Sequence, residues 1–463
     1  MAGLRLASIA MSKNNQNPAS SKAPKLFGYL ALLTLVAGDS MFAEDYIRAT
    51  TTWTLWLVLA FFTLFGCAYF LFKADWRRVI SQVPIELSLL LALMIGSSPW
   101  SAYATDTVSG FAIQVGIVVM GLFFVAVFSW REILGIFANA IRVIIFGSFV
   151  VELVASTFKG SLASIIPFQN DNIVQALARS GHLFDGGRIQ GLLGNANLVA
   201  AWALMGVVTF AIEVAITKNR RWLALASLIA SISMIVVAKS AGIIFATIAV
   251  LVSAVVSLLA EGKDKATRHR YYRIAWSVAG VAMFFVLVFR RAVFEFLGKS
   301  PDMTHRSDIW RRVLSLISQR PLEGWGFTGV WVPGVKPYDG LVVINGHSYF
   351  QAHNAYLDMW LQLGAVGLIL FVILLTRTFV NTWRLGVHHS NALYLWPLLI
   401  LVTQLVRGIT ESRLLIQSAM LMLIIFAVKA SDPESLLEEN SKTPKLNQLE
   451  KLSKKPISRL KNL

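Results

Sequence analysis

Residues 53–72 read WTLWLVLAFFTLFGCAYFLF, twenty residues without a charge. A helix of that length rises about 30 Å, the thickness of a bilayer's hydrocarbon core. Comparable runs recur near 26–42, 83–97, 108–128, 132–155, 195–217, 222–238, 241–260, 273–289, 356–375, 392–406 and 414–428. The pattern predicts an all-α polytopic membrane protein with about 12 transmembrane helices. Composition points the same way: 56% of residues are hydrophobic, mean hydropathy is +0.63, and only 14% are charged, against about 25% in an ordinary soluble domain. These values exclude collagen-like, disordered and disulfide-framework chains. The single cysteine, Cys67, lies inside the quoted run, so neither an intramolecular disulfide nor a thiolate metal site is expected. The run near 26–42 lacks a clear small-x-small cleavage site and is interrupted by Asp39, so it reads as an uncleaved first span rather than a signal peptide.

A net charge of +17 would suggest nucleic acid in a soluble protein. In a membrane protein, basic residues hold loops on the cytoplasmic side and meet anionic headgroups, so no nucleic-acid partner is expected. Twelve spans put both termini on one side. That side carries 26 basic residues, while the other carries 15, eight of them in one long loop. Long loops weigh little in this bias, so both termini are expected to be cytoplasmic. The predicted organisation is a cytoplasmic tail over 1–25, a membrane domain over 26–428 and a basic, disordered cytoplasmic tail over 429–463. Two outer loops are long, about 158–194 and 290–355, and loops of that length usually carry function. In the second, Thr304 or Ser307 can cap a helix with Ile309, Val313, Leu314 and Ile317 on one face, ended by Pro321.

This topology puts His182, His305, His347 and His353 on the outer side, together with Arg188, Arg306, Arg407 and Arg413. His353 directly precedes a span, and the positive end of a helix favours a neutral imidazole, the form a general base needs. The bland reading is an interfacial histidine that only caps the helix. Arg188 sits in Gly186-Gly187-Arg188-Ile189-Gln190-Gly191, upstream of Gly194-Asn195-Ala196-Asn197 and an apolar helix that Asn195 can cap. An arginine beside a helix N-terminus makes an anion site; contact with lipid headgroups is the alternative. Arg306 precedes a pair, Asp308 and Arg312, spaced to close an ion pair on the helix surface, and is freer to meet a ligand. Arg407 and Arg413 bracket a short turn containing Glu411, and one of them can complete the basic cluster. Asp39, Glu86, Arg142, Glu152 and Glu213 fall within spans and require partners or a wet cavity. No role is assigned to them.

Arg306 and Trp310, then Pro321-Leu322-Glu323-Gly324-Trp325-Gly326-Phe327, then His353-Asn354-Ala355-Tyr356-Leu357 and Leu363-Gly364-Ala365-Val366-Gly367-Leu368 occur in an order that resembles the O-antigen ligase and polymerase superfamily, its exopolysaccharide-polymerase-like branch most of all. Arg188 with Gly194-Asn195-Ala196-Asn197 is similar to a second motif of that family. At position 305 this chain has histidine where the family commonly has glycine. The resemblance implies a glycosyltransferase of the cytoplasmic membrane. It would move a glycan from a polyprenyl-diphosphate-linked donor to a glycan, lipid or protein acceptor at the outer face, without cofactor or metal. It further implies His353 as the base that activates the acceptor hydroxyl, and Arg188 and Arg306 as the groups that hold the diphosphate. Asn195, Asn197, His347, Arg407 and Arg413 are candidate supporting residues. The competing expectation is a 12-span transporter or flippase, which would place paired charges near the bilayer midplane; Arg142 is the residue that speaks for it.

Overall fold

The computed structural model describes residues 22–41, 50–158, 181–288, 306–332, 334–344 and 347–431. Expectations about the two termini, about Thr304 and His305, and about much of the two long loops lie outside the described residues. Fourteen α-helices occur among those described. They are α1 (Lys22–Met41), α2 (Thr50–Lys73), α3 (Trp76–Ser81), α4 (Ile85–Gly96), α5 (Ala104–Val127), α6 (Trp130–Thr157) and α7 (Ala196–Ile216). There follow α8 (Arg221–Ala238), α9 (Ala241–Ala260), α10 (Lys265–Val288), α11 (Arg306–Ile317), α12 (Ala355–His388), α13 (Leu395–Arg407) and α14 (Gln417–Lys429). The sole ladder among the described residues is two residues long, β1 (Val343–Ile344) antiparallel to β2 (His347–Ser348).

The chain is thus all-α and polytopic, but the count of about 12 spans is corrected. Each of the twelve apolar runs lies on a helix, yet among the described residues seven helices are long and apolar enough to cross a membrane: α2, α5, α6, α7, α8, α9 and α12. Helices α4, α13 and α14 have 12 or 13 residues, about 20 Å of rise against a core of about 30 Å. Short 3₁₀ turns lengthen two of them, giving apolar stretches 85–100 and 392–407. Helix α10 opens on Lys265, Arg268, Arg270 and Arg273, which makes its first half polar. A second correction concerns α12. The apolar run near 356–375 predicts an end before Arg377, but the helix continues through Arg377, Arg384 and His388 for 34 residues in all, well beyond one bilayer crossing. In α11, Ile309, Val313 and Ile317 are buried, whereas Leu314 is exposed. The i, i+4, i+8 stripe alone faces the core, and its neighbour at 314 turns away.

Helix α12 is broken at Gly364, whose φ of 65° and ψ of −170° are not helical. The break leaves carbonyls without intrahelical partners, which is tolerable at membrane depth only where protein supplies them. Here the loop after α11 does. The N–H of Trp325 donates to Leu361 O at 3.0 Å, that of Gly326 to Gln362 O at 2.9 Å, and Ala365 N–H to Pro321 O at 2.8 Å. A Cβ at Gly364 would lie 2.0 Å from Leu322 O, so only glycine lets the two segments meet. Above this junction α11 packs on Tyr103, Trp331, Tyr338, Val342, Ala352 and Leu361, a small second core separate from that of the bundle. The described part of the long loop, from Arg306 onward, is therefore a packed cap at the His353 end.

Candidate active site

His353 lies just before α12, whose N-cap is Asn354; the Asn354 side chain accepts from the N–H groups of Tyr356 and Leu357 at 3.0 Å each. His353 itself has φ of 48°, a left-handed conformation uncommon for a side chain of this size. The surroundings hold it there. Asp358, one turn into α12, accepts from Ala352 N–H at 3.1 Å and from the Trp331 indole at 2.7 Å. Asn354 N–H donates to Ser412 Oγ at 3.2 Å, and Ala355 N–H to Gly408 O at 2.8 Å. These last two bonds dock the histidine segment on the turn between α13 and α14, which carries Glu411.

Glu411 is the hub of the site. Its Oε2 lies 3.2 Å from His353 Nδ1, and its Oε1 accepts from Arg306 Nη2 at 3.1 Å and from Asn197 Nδ2 at 3.3 Å. Asn197 Oδ1 in turn accepts from Arg188 Nη2 at 2.9 Å and Ser240 Oγ at 3.0 Å. The structure thus brings His353, Arg306, Asn197 and Arg188 into one hydrogen-bonded web. Burial alone would raise the Glu411 carboxyl. The His353 ring, its hydrogen bond, and the guanidinium groups of Arg306 and Arg407 outweigh that and hold it at about 2. An ionised carboxylate only accepts, so the facing Nδ1 carries a proton, and Nε2 is the ring atom that can take one. Partial burial and then the charge of Arg306 pull the Arg188 guanidinium below its ordinary value; the two cations sense one another.

The loop that presents Arg188 is held by Glu152, a fully buried residue near the end of α6. Its Oε2 accepts from Gly181 and His182 N–H at 2.8 and 3.2 Å, and its Oε1 from Gln190 and Gly191 N–H, both at 2.9 Å. Arg188 is clamped between those two pairs. It also donates through Nε to Ala238 O at 3.3 Å, while Lys239 Nζ donates to Gly186 O at 2.6 Å.

Asn195 caps α7, accepting from Asn197 and Leu198 N–H. His347 lies in β2, its backbone opposite Ile344. Arg407 and Arg413 are buried on the α1 side of the turn, where Arg413 Nη1 donates to Asp39 O at 3.0 Å and the Asp39 carboxylate accepts from Ser418. Sequence reasoning passed over Glu411 and Glu152 as site-building residues. The signal for Glu152 was a lone carboxylate at the end of an apolar run next to the arginine loop; for Glu411 it was an acid between two arginines. Among the described residues there is no group of three or more His, Cys, Asp or Glu that could hold a metal ion.

Helices long and apolar enough to cross a membrane, a broken span sealed by packed loop, and a histidine wired to arginines at one end define a polytopic membrane protein with a polar cluster at one end of its bundle. Residues 195–372 match the O-Antigen ligase family. In that segment the chain is similar to the O-antigen ligase superfamily. It is similar to the exopolysaccharide production protein ExoQ of Rhizobium meliloti (strain 1021), 28% identical over 85 residues, covering 18% of this chain and 20% of that one. It is also similar to a Rickettsia felis protein named "Putative polysaccharide ligase", 31% identical over 87 residues, 18% of this chain and 21% of that one. The similarity thus spans about a fifth of each relative's length.

Proposed function

We propose that the chain is a membrane glycosyltransferase that moves a glycan from a polyprenyl-diphosphate carrier to an acceptor hydroxyl at the outer face of the cytoplasmic membrane, with both termini cytoplasmic. The observation that carries this reading is the web in which one carboxylate, Glu411, joins a histidine and an arginine directly and a second arginine through Asn197. His353 Nε2 takes the acceptor's proton as its oxygen attacks the anomeric carbon. The bond from that carbon to the diphosphate oxygen breaks, and its electron pair leaves with the diphosphate. Arg188 and Arg306 compensate the added negative charge, the kind of preorganised electrostatic help that needs no strong acid. Direct displacement inverts the anomeric centre. The reaction runs without a divalent metal.

The test is transfer from a defined polyprenyl-diphosphate oligosaccharide by purified protein in liposomes, reading both glycan product and released polyprenyl diphosphate. Wild type should turn over in the presence of chelator, and His353→Ala should not. Full turnover by a folded His353→Ala would remove the proposed base, and loss of wild-type activity on chelation would remove the metal-free mechanism. Orientation is read separately: a cysteine replacing Val335 should react with an impermeant thiol reagent from outside intact cells. Background from Cys67 is small because that thiol is buried.

A further inference from the structure

The corner between α8 and α9 adjoins the His353 web, and the reaction as written makes no use of it. Four successive residues there, 237–240, bond to the web or to the Arg188 loop. Val237 O accepts from Ile189 N–H at 3.4 Å, and Ala238 O accepts from Arg188 Nε at 3.3 Å. Lys239 Nζ donates to Gly186 O at 2.6 Å, and Ser240 Oγ donates to Asn197 Oδ1 at 3.0 Å. A Cβ on Gly242 would lie 3.2 Å from Thr410 Oγ1, so the start of α9 also packs on the turn that carries Glu411.

Lys239 differs from its neighbours. Ala238 and Ser240 are buried, while Lys239 is exposed. Its backbone is left-handed, with φ and ψ both 48°, uncommon for a residue with a Cβ and concentrated at ligand-binding sites. An ammonium carries three donors, and a bond to a neutral carbonyl leaves its charge uncompensated. It forms no ion pair with an acidic residue among those described. The one acid in residues 181–194, Asp185, accepts from Gly187 N–H at 3.0 Å and lies 3.0 Å from His182 Nδ1. Along α8, Ile229, Ile232 and Val236 are exposed, and their spacing puts them on one face of a helix long and apolar enough to cross a membrane. An amphiphile with an anionic head and an apolar tail fits that arrangement.

We propose that Lys239 binds the carrier-side phosphate of a polyprenyl diphosphate, with the first isoprene units along Val236 and Ile232. This rests on the donor chemistry proposed above. Order along the web places the phosphate there. His353 meets Glu411, Glu411 meets Arg306 and Asn197, Asn197 meets Arg188, and Lys239 holds the far side of the Arg188 loop. In the displacement, acceptor oxygen, anomeric carbon, first phosphate, second phosphate and prenyl chain follow in the same sequence. The base stands at one end, so the last cation faces the last phosphate. A charge-assisted hydrogen bond from an ammonium suits that group.

The test is equilibrium binding of polyprenyl diphosphate and of polyprenyl monophosphate to the full chain in phosphatidylcholine nanodiscs, with no acceptor present. Lys239→Gly suits the left-handed backbone and removes the ammonium. It should weaken both ligands about tenfold, the worth of one hydrogen bond to a charged group, and Lys239→Arg should restore most of that. The monophosphate keeps only the carrier-side group. A lysine that merely braces the Arg188 loop would therefore spare the monophosphate, and one that merely meets bulk headgroups would spare both. Either result overturns the inference and leaves the proposed function standing. Should wild type bind neither ligand, the donor chemistry of the proposed function fails first, and this site fails with it.

Discussion

The α6–α7 contact and the His353 end both hold charges that a bilayer penalises, but they handle them differently. At the α6–α7 contact, Arg142 meets Glu213, with its other donors on Ser227 Oγ at 3.0 Å and Asn139 Oδ1 at 2.9 Å and its plane over the Phe210 ring. That is one cation against one anion, closed by neutral partners. At the end, Glu411 faces His353 and Arg306 directly and Arg188 through Asn197. Within this web two guanidinium groups and a histidine stand against one carboxylate, so positive groups outnumber negative ones. A one-to-one pair is a way to bury charge during folding; a web with a surplus is a way to attract an anion.

Variants at the His353 end test whether that surplus does chemistry. His353→Ala should lower turnover by about 10³-fold, within the range expected of a general base, with the chain still folded because Asn354 keeps the α12 cap. Arg188→Ala or Arg306→Ala should cost about 10²-fold through lost charge compensation, and Lys at either position should recover part of it. Should both Ala variants retain wild-type rates, the two regions would not differ in kind. Steady-state kinetics with a defined lipid-linked donor checks all of these.

Glu411→Gln comes next, at about 10²-fold or less. An amide that donates to Nδ1 would move the ring proton to Nε2, the nitrogen the reaction needs open. Its second signature is acid sensitivity. The Glu411 carboxyl is held at about 2, below its ordinary 4.5, so it contributes stability that is complete above about 4.5 and is lost as pH falls through about 2. Its size is about 3 kcal/mol. Wild type should therefore lose stability over that window in an acid unfolding series, and Glu411→Gln should show a shallower slope.

How far the sequence reached differs between the same two regions. The apolar runs found every long helix, because twenty uncharged residues in succession have few other uses. Where short helices α4, α13 and α14 fell below spanning length, hydropathy alone could not separate a half-length buried segment from a full crossing. His353, Arg188 and Arg306 were legible as candidates because each follows or precedes a recognisable cap or turn. The partners that join them were not. Glu411 is 58 residues from His353 and 105 from Arg306, and nothing local to its turn says which charges it will meet. The same holds for Gly364, whose reason lies in the loop 321–326, and for Glu152, whose partners are backbone N–H groups that leave no mark in a side-chain pattern.

Glu152→Gln should act through Arg188 rather than on the chemistry. A glutamine keeps one acceptor and turns a donor toward two N–H groups, so one half of the Arg188 loop loses its anchor. The expected result is a rise of about tenfold in KM for the donor with a smaller fall in kcat, and about 2 kcal/mol of stability lost from unsatisfied buried donors. A fall in kcat alone would point to a direct part in the reaction.

The smallest effect on activity is expected at the α6–α7 contact. Replacing Arg142 and Glu213 together by Met and Leu removes both members of the pair, and swaps of this kind are often neutral or stabilising. Either change alone leaves a charge buried opposite nothing and should cost about 3–5 kcal/mol. The double variant should therefore unfold near the wild-type temperature and transfer glycan at the wild-type rate. A transporter that moved charge through the bundle would need this pair to open and close, and its flux would vanish with the double change. Loss of function in a well-folded double variant would thus put working charge at the α6–α7 contact and undo the contrast between the two regions.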